Sequence, residues 1–217
     1  MSTKASSVAD VLSVFLGIAL MAISIIATGS VSRTFFTSFF CGAVCLVPYL
    51  LRRARVIELP AMLTFVIALA SALHGIGLVT DAYTTLSYYD TITHTLSSTV
   101  IGLLVFYALI CVQHYAGGRV NFTGRGLALF TALITLTFSV YWEVMEFSSD
   151  ELTGSMTQYS PYDTLTDLVC DSVGTFIASI WAGFTMRGRT IADAVEELNI
   201  NEKLRRTATG DAGDSDE

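Results

Sequence analysis

Long apolar stretches alternate with short polar ones along most of the chain. Six stretches reach the roughly 20 mostly apolar residues that a helix needs to cross a bilayer. They are Val8–Thr28, Val31–Leu51, Leu59–Thr80, Thr91–Gln113, Gly126–Phe147 and Thr164–Met186. The pattern predicts an all-α, multi-pass membrane protein whose six transmembrane helices, spans one to six, form one domain over residues 1–186.

The segment after the last span, residues 187–217, is polar and predicts a separate tail. Apolar residues recur on one helical face within Ile191–Leu204, which favours a short amphipathic helix at the membrane surface. The end of the chain, Thr207–Glu217, is rich in Gly and Asp and is predicted to be disordered.

The composition agrees with this interpretation. Of the 217 residues, 53% are hydrophobic and only 14% are charged, and the mean hydropathy is +0.60. A soluble domain carries about 25% charged residues, so the composition excludes soluble globular and disordered proteins. The net charge of −7 also argues against binding to nucleic acid.

Positive charges indicate how the spans are oriented. If the N-terminus lies in the cytoplasm, eleven of the twelve Lys and Arg residues fall in cytoplasmic segments, and only Arg33 falls outside. Cytoplasmic loops carry an excess of Lys and Arg. We therefore predict a protein of the cell membrane with both termini in the cytoplasm.

Acidic residues are concentrated on the opposite, outer side. Nine of the nineteen lie between Asp81 and Asp171, in outer loops or in the outer halves of spans three to six. Three of these, Asp81, Asp150 and Glu151, fall in predicted loops and are interpreted as solvated. The others lie within predicted spans or directly before their first residues, where an ionisable group is costly and indicates a functional site.

The acids within and beside the spans, and two histidines, recur at helical spacings on four helices. They are His74 on span three; Asp90 and His94 on span four; Glu143 and Glu146 on span five; and Asp163, Asp167 and Asp171 on span six. Like charges one turn apart in a low dielectric do not all stay ionised unaided. We therefore predict that spans three to six, about residues 70–182, form a four-helix bundle around a polar site.

Carboxylates and imidazoles at this spacing favour a divalent metal ion, with Zn, Mn, Fe and Mg not distinguished. The predicted ligands are His94, Glu143, Glu146, Asp163 and Asp167. Asp90 and His74 are the candidate catalytic residues. Asp90 would act as general base or orient His94, while His74 would carry protons or act as a further ligand. Asp171, the deepest acid, would support the ligands from behind. A hydrogen-bonded polar seam between helices is the alternative interpretation.

Three motifs in these spans resemble those of the YjdF-like membrane proteins, a family of unassigned function. They are Tyr89-Asp90-x-x-x-His94, Trp142-Glu143-x-x-Glu146-Phe147 and Asp163-x-x-x-Asp167-x-x-x-Asp171-x-x-Gly174. The resemblance covers roughly residues 70–182. More distantly the chain is similar to the VanZ-like family, but Thr91 stands where that family has Lys, and Asp171 where it has Asn. The resemblance implies a polar intramembrane site on four helices and supplies no reaction.

Three functions fit these residues. The first is a metal-dependent enzyme acting on a membrane lipid or lipid-linked headgroup at the outer leaflet, where the acids meet the headgroups. The second is a cation- or proton-coupled transporter; the apolar inner halves of spans five and six weigh against it. The third is a non-catalytic scaffold. Three histidines are too few for a membrane desaturase, and neither a Gly-x-Ser-x-Gly nor an HExxH motif occurs.

Overall fold

A computed structural model describes residues 3–28, 33–158 and 160–209, and within these ranges every regular element is a helix. The helices are α1 (Thr3–Thr28), α2 (Arg33–Arg53), α3 (Ala61–Val79), α4 (Ala82–Thr85), α5 (Tyr89–Tyr115), α6 (Gly124–Thr153), α7 (Pro161–Thr185), α8 (Ile191–Glu196) and α9 (Glu202–Thr209). Six of them, α1, α2, α3, α5, α6 and α7, are long and apolar enough to cross a membrane. The predicted all-helical, six-span fold is confirmed.

The spans pack in two groups, which meet where α3 packs against α5. Helices α1, α2 and α3 pack against one another, α5, α6 and α7 do the same, and α3 joins the second group through α5. The main apolar core contains Leu63 of α3, Phe106 and Ile110 of α5, and Leu127 of α6, all nearly inaccessible. The four helices predicted to carry the polar site are thus α3, α5, α6 and α7.

Helix α6 is longer than predicted. It ends at Thr153 rather than Phe147, because its polar last turns stay helical until Gly154 terminates them with a left-handed backbone at φ 68°. Asp150, interpreted from the sequence as a solvated loop residue, therefore lies on a helix. Its carboxylate is bound by the following loop, as described below.

The buried faces of α6 and α7 are polar over most of their length, which corrects one expectation from the sequence. The inner half of span five is apolar on average, but most of its large apolar side chains, unlike Leu127, face outwards. The buried face of α6 consists of Leu127, Thr131, Thr135, Ser139 and Glu143. On α7 the buried polar residues are Asp167, Asp171, Thr175 and Ser179. Hydropathy averaged around a helix does not report which face is buried.

The tail forms two short helices rather than one continuous amphipathic helix. Helix α8 packs against α5 and buries Val195, and Leu198, two residues after the helix, is buried as well. The carbonyl of Leu198 accepts a hydrogen bond from the N–H of Glu58 at 2.7 Å, which ties the tail to the α2–α3 connection. The predicted disorder of Thr207–Glu217 falls largely on residues 210–217, outside the described residues.

Candidate functional site

The predicted site residues lie at one end of the bundle, where α5 and α7 begin and α3 and α6 end; we call this the site end. Pro161 occupies the first turn of α7, where its fixed φ suits a helix. The hydroxyl of Ser160 caps this helix by accepting a hydrogen bond from the N–H of Asp163 at 3.2 Å. This cap begins the helix that carries the three predicted aspartates.

Three side chains from two helices form the centre of the site. Ligand-type atoms of Asp90, His94 and Asp167 all lie within 4.8 Å of one another. Nε2 of His94 is 3.5 Å from Oδ1 of Asp90 and 3.9 Å from Oδ1 of Asp167. The side chain of Asp90 is 29% exposed and that of Asp167 only 6%, so the cluster opens towards Asp90.

Asp171 lies behind this cluster, one turn deeper on α7. Its Oδ1 is 3.3 Å from Nδ1 of His94, on the opposite side of the ring from Asp90 and Asp167. When Nδ1 carries the proton and donates a hydrogen bond to this carboxylate, the unprotonated Nε2 directs its lone pair towards the other two acids. Carboxylates orient metal-binding histidines in this way.

Glu143 is buried beside the cluster and is only half satisfied. Its Oε2 accepts a hydrogen bond from Nε2 of Gln158 at 3.3 Å. Its Oε1 is inaccessible and has no hydrogen-bond partner among the described residues. A buried carboxylate oxygen without a partner is costly, so this atom is suited to a ligand. Glu143 and His94 lie close enough together to interact electrostatically.

The remaining predicted residues lie around this centre. Glu146 lies close enough to His94 to interact with it electrostatically, and its Oε1 accepts a hydrogen bond from Nε1 of Trp142 at 3.0 Å. Asp163 interacts electrostatically with Asp90 and Asp167. The structure therefore places both residues next to the cluster, outside the three whose ligand atoms converge.

His74 belongs to an adjacent aromatic group. Its Nδ1 is hydrogen-bonded to the phenol oxygen of Tyr83 at 2.6 Å, and the hydroxyl of Tyr89 donates to the carbonyl of Leu73 at 2.5 Å. The rings of Tyr83 and Tyr89 meet edge to face. Burial raises the pKa of Tyr83 above its ordinary value, so the phenol stays protonated. Sequence analysis missed this partner of His74 because Tyr83 lies in a connection.

Asp150 organises the loop between α6 and α7. Its two carboxylate oxygens accept hydrogen bonds from the backbone N–H groups of Thr157 and Gln158, each at 2.9 Å. The hydroxyls of Ser155 and Thr157 donate to the same carboxylate, at 2.7 and 2.5 Å. Because Gln158 in turn contacts Glu143, Asp150 positions a site residue through the loop.

Replacing Asp150 by alanine is expected to release this loop. Without the carboxylate the loop loses the acceptor for all of these donors, and limited proteolysis should cleave the α6–α7 loop several-fold faster than in the wild type. Glu151→Ala is the matched control, because Glu151 is the exposed neighbour on the same helix. Equal cleavage rates for the two variants would contradict this role.

Four exposed aromatic side chains lie close to the site acids in the sequence. They are Tyr88, Tyr141, Trp142 and Tyr162, and each adjoins or lies within two residues of a site acid in the sequence. Trp and Tyr are enriched where a membrane meets water. The site end therefore carries the kind of aromatic side chains that are common at such a boundary.

These observations define a multi-pass integral membrane protein with a carboxylate–histidine cluster at one end of its bundle. The chain belongs to a family of predicted membrane proteins, DUF2238, whose model matches residues 9–188. The YjdF-like resemblance is thereby confirmed, and the match includes the first two spans, which the motifs did not cover. No similarity to VanZ-like proteins is shown. No curated protein and no solved structure matches the chain.

Proposed function

We propose that Asp90, His94 and Asp167 bind a divalent metal ion, and that the protein is a metal-dependent hydrolase or transferase acting on a lipid or lipid-linked headgroup. The convergence of three ligand-type atoms within 4.8 Å carries the proposal. Two carboxylates and one imidazole suit Mn²⁺, Fe²⁺, Zn²⁺ or Mg²⁺, and do not resemble the all-sulfur sites of soft metals.

Two further features support metal binding. Asp171 holds the ring of His94 from the side away from the cluster, so that Nε2 is available to a metal. The inaccessible Oε1 of Glu143 has no partner in the described parts of the chain. A cation would compensate four acids gathered around one imidazole.

The surroundings of the site support a headgroup as substrate. Exposed tyrosines and Trp142 lie at the site end. In the orientation that the positive charges predict, with both termini in the cytoplasm of a cell-membrane protein, this end faces the outer leaflet. A polar ester or phosphate of a lipid would then reach the partly exposed Asp90 without leaving the interface.

A bound divalent ion would activate water and polarise the ester or phosphoryl oxygen. The chain's own groups have separate roles in this proposal. Asp90, His94 and Asp167 hold the ion. Glu143 lies beside them with one free oxygen and accepts a proton as general base. His74, bonded to Tyr83, carries protons at the rim.

Glu146 and Asp163, predicted as ligands from the sequence, adjust the charge of the site in the same proposal. Each is an acid adjacent to the cluster whose ligand-type atoms do not join the converging three.

Lipid profiles test the proposed activity. We expect a strain lacking the gene to accumulate one lipid or lipid-linked species, and the wild-type protein to restore the normal profile. Asp167→Asn should fail to restore it, because it removes a buried ligand while keeping the shape of the side chain. The matched control is Glu151→Gln, an exposed acid at the same end of the bundle.

Other outcomes separate the competing functions. An unchanged lipid profile, together with a cation flux into liposomes that Asp167→Asn abolishes, would favour a transporter over an enzyme. An unchanged lipid profile without cation flux, together with a thermal stability that depends on metal, would favour the non-catalytic scaffold.

A further inference from the structure

A line of buried polar side chains continues from the site into the bundle. On α6, Glu143 is followed at four-residue steps by Ser139, Thr135 and Thr131. On α7, Asp167 and Asp171 are followed at the same steps by Thr175 and Ser179, and all of these side chains are at most 7% exposed. Residues four apart lie on one helix face, so each helix presents a continuous polar strip.

The two strips lie on neighbouring helices at matching depths. A Cβ on Gly183 would lie 3.9 Å from Cβ of Ala128, and one on Gly124 the same distance from Cβ of Met186. Since α6 and α7 run antiparallel, this register brings further pairs to the same depth. The level pairs are Thr131 with Ser179, Thr135 with Thr175, Ser139 with Asp171, and Glu143 with Asp167. We call this double line the polar seam.

Three hydroxyls of the polar seam have no hydrogen-bond partner in the described residues: those of Thr131, Thr175 and Ser179. A hydroxyl in a membrane helix can always bond the carbonyl four residues earlier, and Thr135 does so at 2.7 Å. Lipid-facing Thr137 does the same at 2.8 Å. The three seam hydroxyls are buried but do not make this bond.

The three hydroxyls do not join helices either. Polar residues that join helices donate hydrogen bonds across the interface, and these hydroxyls make no such bond to a described residue. A buried hydroxyl without a partner costs about 1–3 kcal/mol. Three such hydroxyls lie along the polar seam, and the seam begins at the unpartnered oxygen of Glu143. Buried water satisfies such groups in proteins, each molecule making about three hydrogen bonds.

We propose that the polar seam holds a file of water molecules running from the carboxylate–histidine site into the bundle. From Glu143 to Thr131 the file spans about 18 Å at the 1.5 Å rise per residue of a helix. It is closed at its far end, where Leu127 and Ala182 occupy the next level and are inaccessible. The file places water directly behind the site, within the bundle.

The water file does not rest on the metal proposal, and its test is separate. Cysteine is introduced as Thr175→Cys and Ser179→Cys, and the purified protein is exposed to hydroxyl radicals generated from water by X-rays. Both cysteines should be oxidised several-fold faster than Cys45, a native thiol of the α1–α3 group that is 0% exposed. Rates equal to that of Cys45 would overturn the proposal.

A second measurement guards against disturbance by the new thiols. Thr175→Val removes a hydroxyl at nearly constant shape, and Thr137→Val is its lipid-facing control on α6. If water bonds the seam hydroxyls, Thr175→Val lowers the unfolding temperature by a few degrees relative to the wild type, at least as much as Thr137→Val, which removes the bond from Thr137 to the carbonyl of Leu133. An unchanged or raised unfolding temperature would show that the hydroxyl is dry and unpaired, and would overturn the proposal.

Discussion

Replacing Gly174 by alanine is expected to force α5 and α7 apart and to disrupt the site. A Cβ at this position would overlap the carbonyl oxygen of Thr95 and the hydroxyl of Ser98. The carbonyl belongs to the backbone of a helix and does not move independently. The same approach lets Thr99 Oγ1 donate to the carbonyl of Gly174 at 3.2 Å.

The expected cost of Gly174→Ala is at least about 3 kcal/mol of folding free energy, the upper end for overpacking in protein cores. Because His94 precedes Thr95 and Asp171 lies one turn before Gly174, the substitution should also separate Nδ1 of His94 from Asp171. Thermal unfolding and metal content of the purified protein measure the two effects.

Gly183→Ala is the matched control on the same helix. A Cβ there would lie at an ordinary 3.9 Å from Cβ of Ala128, so this variant should unfold close to the wild-type temperature. If Gly174→Ala were as stable as Gly183→Ala, the close approach of α5 and α7 would be contradicted.

The second large effect is expected from Asp171→Asn. The amide keeps the shape of the side chain but removes the charge that faces Nδ1 of His94. Loss of such a supporting partner weakens metal binding about 10- to 100-fold. Equilibrium dialysis against Mn²⁺ or Zn²⁺ measures the change in affinity.

Glu151→Gln removes a carboxylate from the site end without touching the cluster, and it should leave the affinity unchanged. An Asp171→Asn affinity equal to that of Glu151→Gln would mean that Asp171 does not act on a bound metal through His94.

The spans and the site could be predicted because the bilayer limits what a sequence can contain. A crossing helix must be apolar for about 20 residues, so the exceptions, such as His94 and Asp167, are conspicuous. The helical spacing of Asp163, Asp167 and Asp171 then placed them on one face, and the structure brings the last two against His94.

Contacts between distant segments could not be predicted in the same way. Nothing in the local sequence shows that Asp150 binds a loop five to eight residues later, or that Gly174 approaches Thr95. Both depend on how helices meet. The end of α6 was also missed, because its last residues are polar and still helical.

The polar seam had a readable signal that hydropathy concealed. Thr131, Thr135, Ser139 and Glu143 are spaced by four, as are Asp167, Asp171, Thr175 and Ser179. Hydropathy averaged along the sequence does not show their polarity, because the lipid-facing side chains between them are apolar. Counting polar residues by helix face, rather than along the sequence, finds both strips.

The metal content of the purified protein tests the central claim most directly. Wild-type protein and His94→Ala are dialysed in parallel against Mg²⁺, Mn²⁺, Fe²⁺ and Zn²⁺, and bound metal is measured by elemental analysis. We predict that the wild type retains a divalent ion and that His94→Ala loses it. Size-exclusion chromatography checks that the variant is folded. A wild-type protein free of all four metals, or equal metal in both proteins, would contradict the account.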